Sequence, residues 1–319
     1  MNRNFKTSSI TESAMITGIL VIIAYLSSFF SIIMFFFPTP AIILAKRKGL
    51  KYASLALIAS DILVSMLLGV QTGMMFLILY TPLAIALSYG VCHEEDANKT
   101  ILFGAAAYMI SFVVLILFLN LIMGVNFIQQ LSDIYNESIS LMKDMLTNMP
   151  EGLNGANVQE MIKTYDEMGA TITSVITYLF PAVMIVASVI TSYINYLVAS
   201  KFAKRFSINI KQHEGLSYFT FPRTFMIAMA VLLLLSFLLS TLKINVGVIQ
   251  LNLFMIVYSA MFFQGFAVLK FYLEKSIASK ALRTMILIMV IFMIAGLSQM
   301  LAVVGLIDLA IDLRKFKKA

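Results

Sequence analysis

The sequence predicts an all-α fold: a polytopic transmembrane helical bundle of about eight to ten membrane segments carrying an extracytoplasmic helical hairpin. Three observations predict it. The apolar residues are gathered into long uncharged blocks, the first running from Ala14 to Phe37 and the last from Thr284 to Ile307, and blocks of that length are comfortable only in lipid. Hydrophobic residues make up 61% of the chain and charged residues 12%, too little polar surface to wrap a soluble domain of 319 residues. The charges are also sorted by sign, with basic clusters between blocks and acids gathered in one long insertion.

Residues 13–45 are too long for one span and short for two. They read as a tight hairpin turning near Ser27 to Ser31, its second arm shortened by Pro38 and Pro40, which interrupt helical hydrogen bonding. Uncharged stretches at 52–69, 73–91, 100–124, 172–199, 224–242 and 247–269 each approach the ~20 residues a bilayer needs. Residues 284–313 pose the first problem again and read as a second hairpin, turning near Gly296 to Gln299. About ten segments result, or about eight if either end is re-entrant or tilted.

Basic loops orient these segments. Lys46, Arg47, Lys48 and Lys51 form one, Lys201, Lys204, Arg205 and Lys211 a second, and Lys270, Lys275, Lys280 and Arg283 a third. The positive-inside rule puts all three in the cytoplasm, with both termini (Arg3 and Lys6; Arg314, Lys315, Lys317 and Lys318). The chain is therefore expected to be a multi-pass protein of the plasma membrane. Residues 125–171 then fall outside, where seven acids against Lys143 and Lys163 give −5, leaving +12 on the rest of a chain whose total is +7. Three regions follow: an N-terminal membrane bundle at 1–124, the acidic hairpin at 125–171, and a C-terminal membrane bundle at 172–319.

Within the insertion, Phe127, Leu131, Ile134, Leu141, Met145 and Met149 recur near helical spacing, as do Val158, Met161, Ile162, Tyr165 and Met168. Two amphipathic helices that face each other are expected. Pro150, Gly152 and Gly155 break the chain between them, and Asn157 with Glu160 resembles a capping box opening the second. The hairpin either extends the flanking spans or serves as a lid or docking arm.

The composition also excludes. Cys92 is the single cysteine, so neither an internal disulfide nor a thiolate metal cluster can form within one chain. The first block follows Arg3 and Lys6 like a signal peptide, but its apolar stretch is too long and no small-residue cleavage site closes it, so it is expected to stay as a helix. The net positive charge is spent on topology, which argues against nucleic acid as a partner; lipid is the expected one. No phosphate loop, nucleophile triad or HExxH helix is present, and neither enzyme activity nor a cofactor is expected.

Candidate chemistry is sparse. Asp61 lies mid-span between Ala56 and Ser65, where an ionised carboxylate must face protein or water or take up a proton. The hydroxyls of Tyr80, Thr81 and Tyr108 are its candidate partners, and a pocket near it would be lined by Gln71, Tyr80 and Thr81. The competing reading is a protonated Asp61 that only bonds a neighbouring helix. Asp308 and Asp312 stand one helical turn apart before Arg314, either as a cation site or, more commonly at a basic boundary, as a charge-balancing anchor. Cys92, His93, Glu94, Glu95 and Asp96 are metal-ligand types without metal-site spacing, which reads as a solvated turn. Ala14 and Gly18 have the small-xxx-small spacing that lets another helix approach. Residues 206–223, with Tyr218, Phe219 and Phe221, read as an interfacial loop.

Thr11-Glu-Ser-Ala14, Pro38-Thr-Pro40, Lys46-Arg-Lys-Gly49-Leu-Lys51 and the closing Gly305-Leu-Ile-Asp308-Leu-Ala-Ile-Asp312-Leu-Arg314 resemble the YybS-like family of bacterial membrane proteins. The N-terminal half of that family is in turn similar to the substrate-binding S components of energy-coupling factor (ECF) transporters. That likeness implies vitamin-type ligands and docking on a transmembrane coupling subunit with paired ATPases. Ala14 and Gly18 match the small-residue docking motif of the S-component first helix.

The residues leave two functions open. One is transporter-like handling of a small ligand or ion through an intramembrane pocket near Asp61. The other is a non-transporting membrane scaffold or regulator that binds partners, another membrane protein among them, through its external hairpin and cytoplasmic loops.

Overall fold

A computed structural model describes residues 3–147, 156–213 and 215–315, and among these the chain is helical without a strand. Helix α1 (Arg3–Ser27) has 25 residues, which at ~1.5 Å per residue reaches across a bilayer unaided. Backbone hydrogen bonds from Ser28, Phe29 and Phe30 to Tyr25 and Leu26 turn the chain at the place expected for the first hairpin. The returning arm is broken. A 3-10 turn (Ser31–Phe36) leads into the 11-residue α2 (Pro38–Lys48), which opens on Pro38 because proline fits the first helical position, where an N–H has no partner anyway. Six of its residues, from Pro38 to Ala45, are buried.

Helix α3 (Leu50–Leu68) sits between Gly49 and Gly69, whose φ of 99° and 96° end the neighbouring helices. A short α4 (Val70–Met75), a π-turn (Phe76–Tyr80) and α5 (Thr81–Cys92) together form one span, Val70–Cys92. Then come α6 (Ala97–Leu121), α7 (Phe127–Thr147), α8 (Ala156–Arg205), α9 (Arg223–Thr241), α10 (Gly247–Ser276), α11 (Lys280–Phe292) and α12 (Ile294–Ile311). Among the described residues seven helices are long and apolar enough to cross a membrane, or up to eight if the bent pair α11 and α12 counts as one. The difference from ten lies wholly at the two ends. There the α2 arm is too short to count, and the final pair bends by 111°. That bend falls at Met293, ahead of the expected Gly296 to Gln299, because the chain is already helical again through Gly296.

The insertion is helical as expected, with Ile134, Leu141, Met142 and Met145 exposed on α7. Pro150, Gly152 and Gly155 lie outside the described residues, as do the side chain of Asn157 and most of the facing side chains of α8. The second insertion helix runs without interruption into the following span, so α8 is 50 residues long. Pro181 breaks its hydrogen-bond ladder, and Asn252 of α10 repairs it. The Asn252 side chain accepts from Ala182 N–H (2.8 Å) and donates to the Tyr178 carbonyl (2.7 Å), inserting itself where the two backbone groups would have met.

The chain divides into two compact units, one of Met1–Thr177 with Ala187–His213, the other of Tyr178–Val186 with Glu214–Ala319. This division differs from the three stretches laid out along the sequence, because the later turns of α8 pack with the first unit; the Ser192 hydroxyl donates to the Ile101 carbonyl of α6 at 2.7 Å. The core of the first unit gathers residues of α1 to α6 and α8, including Leu20, Phe37, Leu57, Tyr80, Tyr108 and Tyr196. In the second unit, α10 and α12 cross with Gly265 against Leu301 and Gly305 against Met261, where an added methyl would overlap backbone on either helix. Such crossings let two backbones touch.

Candidate functional site

Asp61 occupies the middle turns of α3 and is 3% exposed. Its placement follows from the alternation of small and large residues on that helix: Ala53, Ala56, Leu57, Ser60, Asp61 and Val64 form the buried stripe at helical spacing. The Thr81 hydroxyl donates to Asp61 Oδ2 at 2.7 Å. Oδ1 is buried without a hydrogen-bond partner, and none of the ion pairs among the described residues involves Asp61.

Two irregular backbones pack against each other in the stretch that leads to Thr81. The first is the π-turn, where Thr81 N–H bonds to Phe76 O instead of one residue later and Pro82 supplies no N–H at all. Single π-turns inside helices recur at functional sites because they re-aim side chains. The second is the break between the 3-10 turn and α2. Phe37, at that break, lies with its ring centroid 4.7 Å from Phe76 and 6.3 Å from Tyr80, and Tyr80 is 5.8 Å from Tyr108. Tyr80 is fully buried, and its hydroxyl lies near that of Tyr108 without a well-formed hydrogen bond.

The broken arm is satisfied from α8. Asn195 donates to the Phe35 carbonyl (2.8 Å) and the Thr191 carbonyl (2.9 Å), while its oxygen accepts from Thr39 (3.0 Å). Irregular backbone at membrane depth is tolerated only with such partners. The sequence pattern does not single out Thr39, Thr191 or Asn195, since Asn195 bonds residues 156 and 160 positions away. A mid-span asparagine is the signal that could have found them.

The other candidate residues read from the sequence separate from this site. Thr81 comes to it, while Tyr80, the residue before, packs on Phe37, Phe76 and Tyr108. Gln71 does not reach it: it is exposed just past the Gly69 turn, roughly 15 Å along the helix from Thr81. Ala14 and Gly18 are exposed, and nothing lies within 4 Å of a Cβ placed on Gly18. The face of α1 that packs within the chain is one residue over. There Ser13 bonds the Tyr52 carbonyl and Thr17 the Ala56 carbonyl of α3. Two shallow grooves, one along Lys280 to Ile288 and one lined by Pro82, Ile85, Tyr89 and Phe103, do not include Asp61.

The acidic turn after α5 is used for ion pairs. Glu94 meets Lys46 (2.9 Å), Glu95 meets Lys99 (2.8 Å) and Asp96 meets Lys211 (3.3 Å). The Lys46 ammonium, bonded to Glu94, holds that carboxyl below the usual carboxylate range. Cys92 donates to the Ala45 carbonyl. Among the described residues no three His, Cys, Asp or Glu side chains are placed to hold a metal.

The second buried carboxylate is different in kind. Asp308 accepts from Gln264 (2.7 Å) and from Arg314 (2.9 and 3.2 Å), whose other donors reach the Ser217 and Phe219 carbonyls. Gln264 in turn accepts from Phe221 N–H and donates to Thr220. Arg314 is buried, and Asp312 closes α12 in a left-handed conformation (φ 53°), so it does not continue the helical face that carries Asp308.

Residues 15–309, from within α1 to within α12, match the family described as "Predicted membrane protein (DUF2232)". The chain belongs to that family. The match takes in both buried carboxylates and every residue of the Asp61 site. A relative in Bacillus subtilis (strain 168), "Uncharacterized protein YybS", is 24% identical over 317 residues, covering 97% of this chain and 98% of its own. This bears out the likeness to the YybS family read from the sequence. No solved structure matches the chain.

Proposed function

We propose that this DUF2232 protein is a transporter-like membrane protein, not an enzyme, that handles a small ion at Asp61, with both termini in the cytoplasm. One observation carries the reading: a carboxyl at mid-helix, 3% exposed, has one oxygen bonded and the other without any partner. A buried polar group left half satisfied costs about 1–3 kcal/mol, and intramembrane carboxylates retained at such a cost are by default functional. The tight packing of Phe37, Phe76 and Tyr80 favours an ion over a larger solute. The π-turn and the broken α2 arm supply the discontinuous helices on which alternating access commonly turns.

The test is ion flux in phospholipid vesicles holding the full chain, with proton, sodium and potassium gradients applied in turn. Wild-type protein is expected to dissipate one of them, and Asp61→Asn to slow that flux by tenfold or more (about 1.4 kcal/mol). Equal flux in a normally folded Asp61→Asn protein removes the residue from the mechanism.

The scaffold reading has its own support. The Asp61–Thr81 bond ties α3 to α5, and the exposed Ala14 and Gly18 face of α1 would admit a partner helix. Co-purification of a coupling subunit with ATPases would favour the S-component form of transport. Recovery of other membrane proteins, with no flux of any ion, would favour the scaffold.

A further inference from the structure

We propose that the chain pairs with a second copy of itself through the open face of α7, as a parallel coiled coil outside the lipid. Phe127, Leu131, Ile134, Ser138, Leu141 and Met145 follow one another at alternating steps of four and three. That is the a and d spacing of a heptad repeat, sustained along the helix. The sequence spacing predicts that this stripe faces the second insertion helix, and the structure leaves it open instead. Ile134, Leu141 and Met145 are 55%, 56% and 71% exposed, while the residues buried on α7 are Ser132 and Leu146, which lie on a different face.

Lipid does not suit the open seam. α7 is not among the helices long and apolar enough to cross a membrane, so the bilayer core does not cover it. A helix lying on a membrane surface sets lysines and arginines beside its apolar face to meet anionic headgroups, whereas α7 carries Asp133, Glu137 and Asp144 against Lys143 alone. Water is the remaining neighbour, and a contiguous apolar stripe facing water marks an interaction surface.

Charge selects the occupant and its direction. Glu137 and Asp144 fall at g positions on one side of the seam, and Tyr135 and Met142 at e positions on the other. In a parallel pair each g residue faces an e residue of the neighbouring helix, so both acids meet uncharged side chains. An antiparallel pair sets g beside g and brings the acids of the two copies together, which costs energy. The membrane imposes the direction that charge prefers. Two copies inserted the same way are related by a two-fold axis along the membrane normal, and upright helices then run in parallel. Like residues meet across that axis, so Ser138, the polar residue of the seam, faces its small counterpart and no charge is buried.

Disulfide trapping tests this on the full chain in phospholipid vesicles at a large excess of lipid, with Cys92→Ala as the background. Ile134→Cys and Leu141→Cys, both at d positions, are each expected to form a two-chain adduct about tenfold or more faster than Asn136→Cys and Ser140→Cys. Those two positions are also exposed but lie away from the seam. Trapping at both seam positions requires the parallel arrangement, since an antiparallel crossing brings at most one of them onto its own copy. Leu141→Lys, at an exposed position and expected to melt like wild type, is expected to slow trapping at Ile134→Cys by about tenfold or more. Equal rates at all four sites mean random collision and overturn the pairing. Failure to trap at either seam position overturns it as well. Protection of both seam cysteines from a water-soluble maleimide would then assign the face to lipid, and adducts of another size in native membranes would assign it to a different protein.

Discussion

Asp61 and Asp308 are each 3% exposed, yet their surroundings assign them opposite work. The Asp308 carboxylate is saturated by a guanidinium and an amide, and the guanidinium is saturated by two loop carbonyls. Removing one member of such a pair strands the other. Arg314→Met is therefore expected to destabilise the protein by about 3–5 kcal/mol, and the Asp308→Leu, Arg314→Met double variant to recover much of that loss, both read from thermal melting in detergent. At Glu94 the sign runs the usual way for a carboxylate with a lowered pKa. Its pairing with Lys46 contributes fully at neutral pH and fades as the pH falls through that lowered value. Because the pair is exposed to solvent and screened, Glu94→Gln is expected to leave melting at neutral pH nearly unchanged and to remove only a small part of its decline in acid. Asp61 itself is legible as a buried charge in a long apolar run. That Thr81 alone bonds it is not, because the choice among Tyr80, Thr81 and Tyr108 depends on the rotation set by the π-turn.

Among the elements, three mid-span amides account for much of what the apolar pattern conceals. Asn195 satisfies the broken α2 arm, Asn252 repairs the ladder at Pro181, and Gln264 joins the loop at 220–221 to Asp308. Asn252→Ala leaves Ala182 N–H and the Tyr178 carbonyl without that partner, and a loss of about 1–3 kcal/mol is expected in the same melting assay. The α10–α12 crossing gives a steric counterpart. Gly305→Leu drives a side chain into the backbone of α10 and is expected to cost at least the 1–3 kcal/mol typical of overpacking. A retained melting temperature would show that the two helices do not meet there. Hydropathy blocks identify spans because lipid selects on length and apolarity. Breaks within a span escape that reading, since one proline or one extra residue in a turn barely changes the average. Pro38 and Pro40 do show the α2 break; Pro82 marks the neighbourhood of the π-turn but not the extra residue it holds.

For the molecule as a whole, orientation is the testable consequence of charge. An epitope at 208 is expected to be reached by protease only from the cytoplasmic side, and one at 140 only from outside, in intact cells against permeabilised ones. The reverse pattern would invert every statement about sidedness. α9 buries only 6% of its apolar window within the chain, as expected of a helix whose other neighbour is lipid. Composition and the spacing of uncharged blocks were by themselves enough to determine that this is a helical membrane protein, because burial in lipid is a one-dimensional property of each segment. Only the tertiary structure decided which buried polar groups are satisfied and which are not. Hydrogen-bond partners come from distant segments, and their geometry is set by helix rotation, which separates a saturated anchor at Asp308 from a half-bonded carboxyl at Asp61.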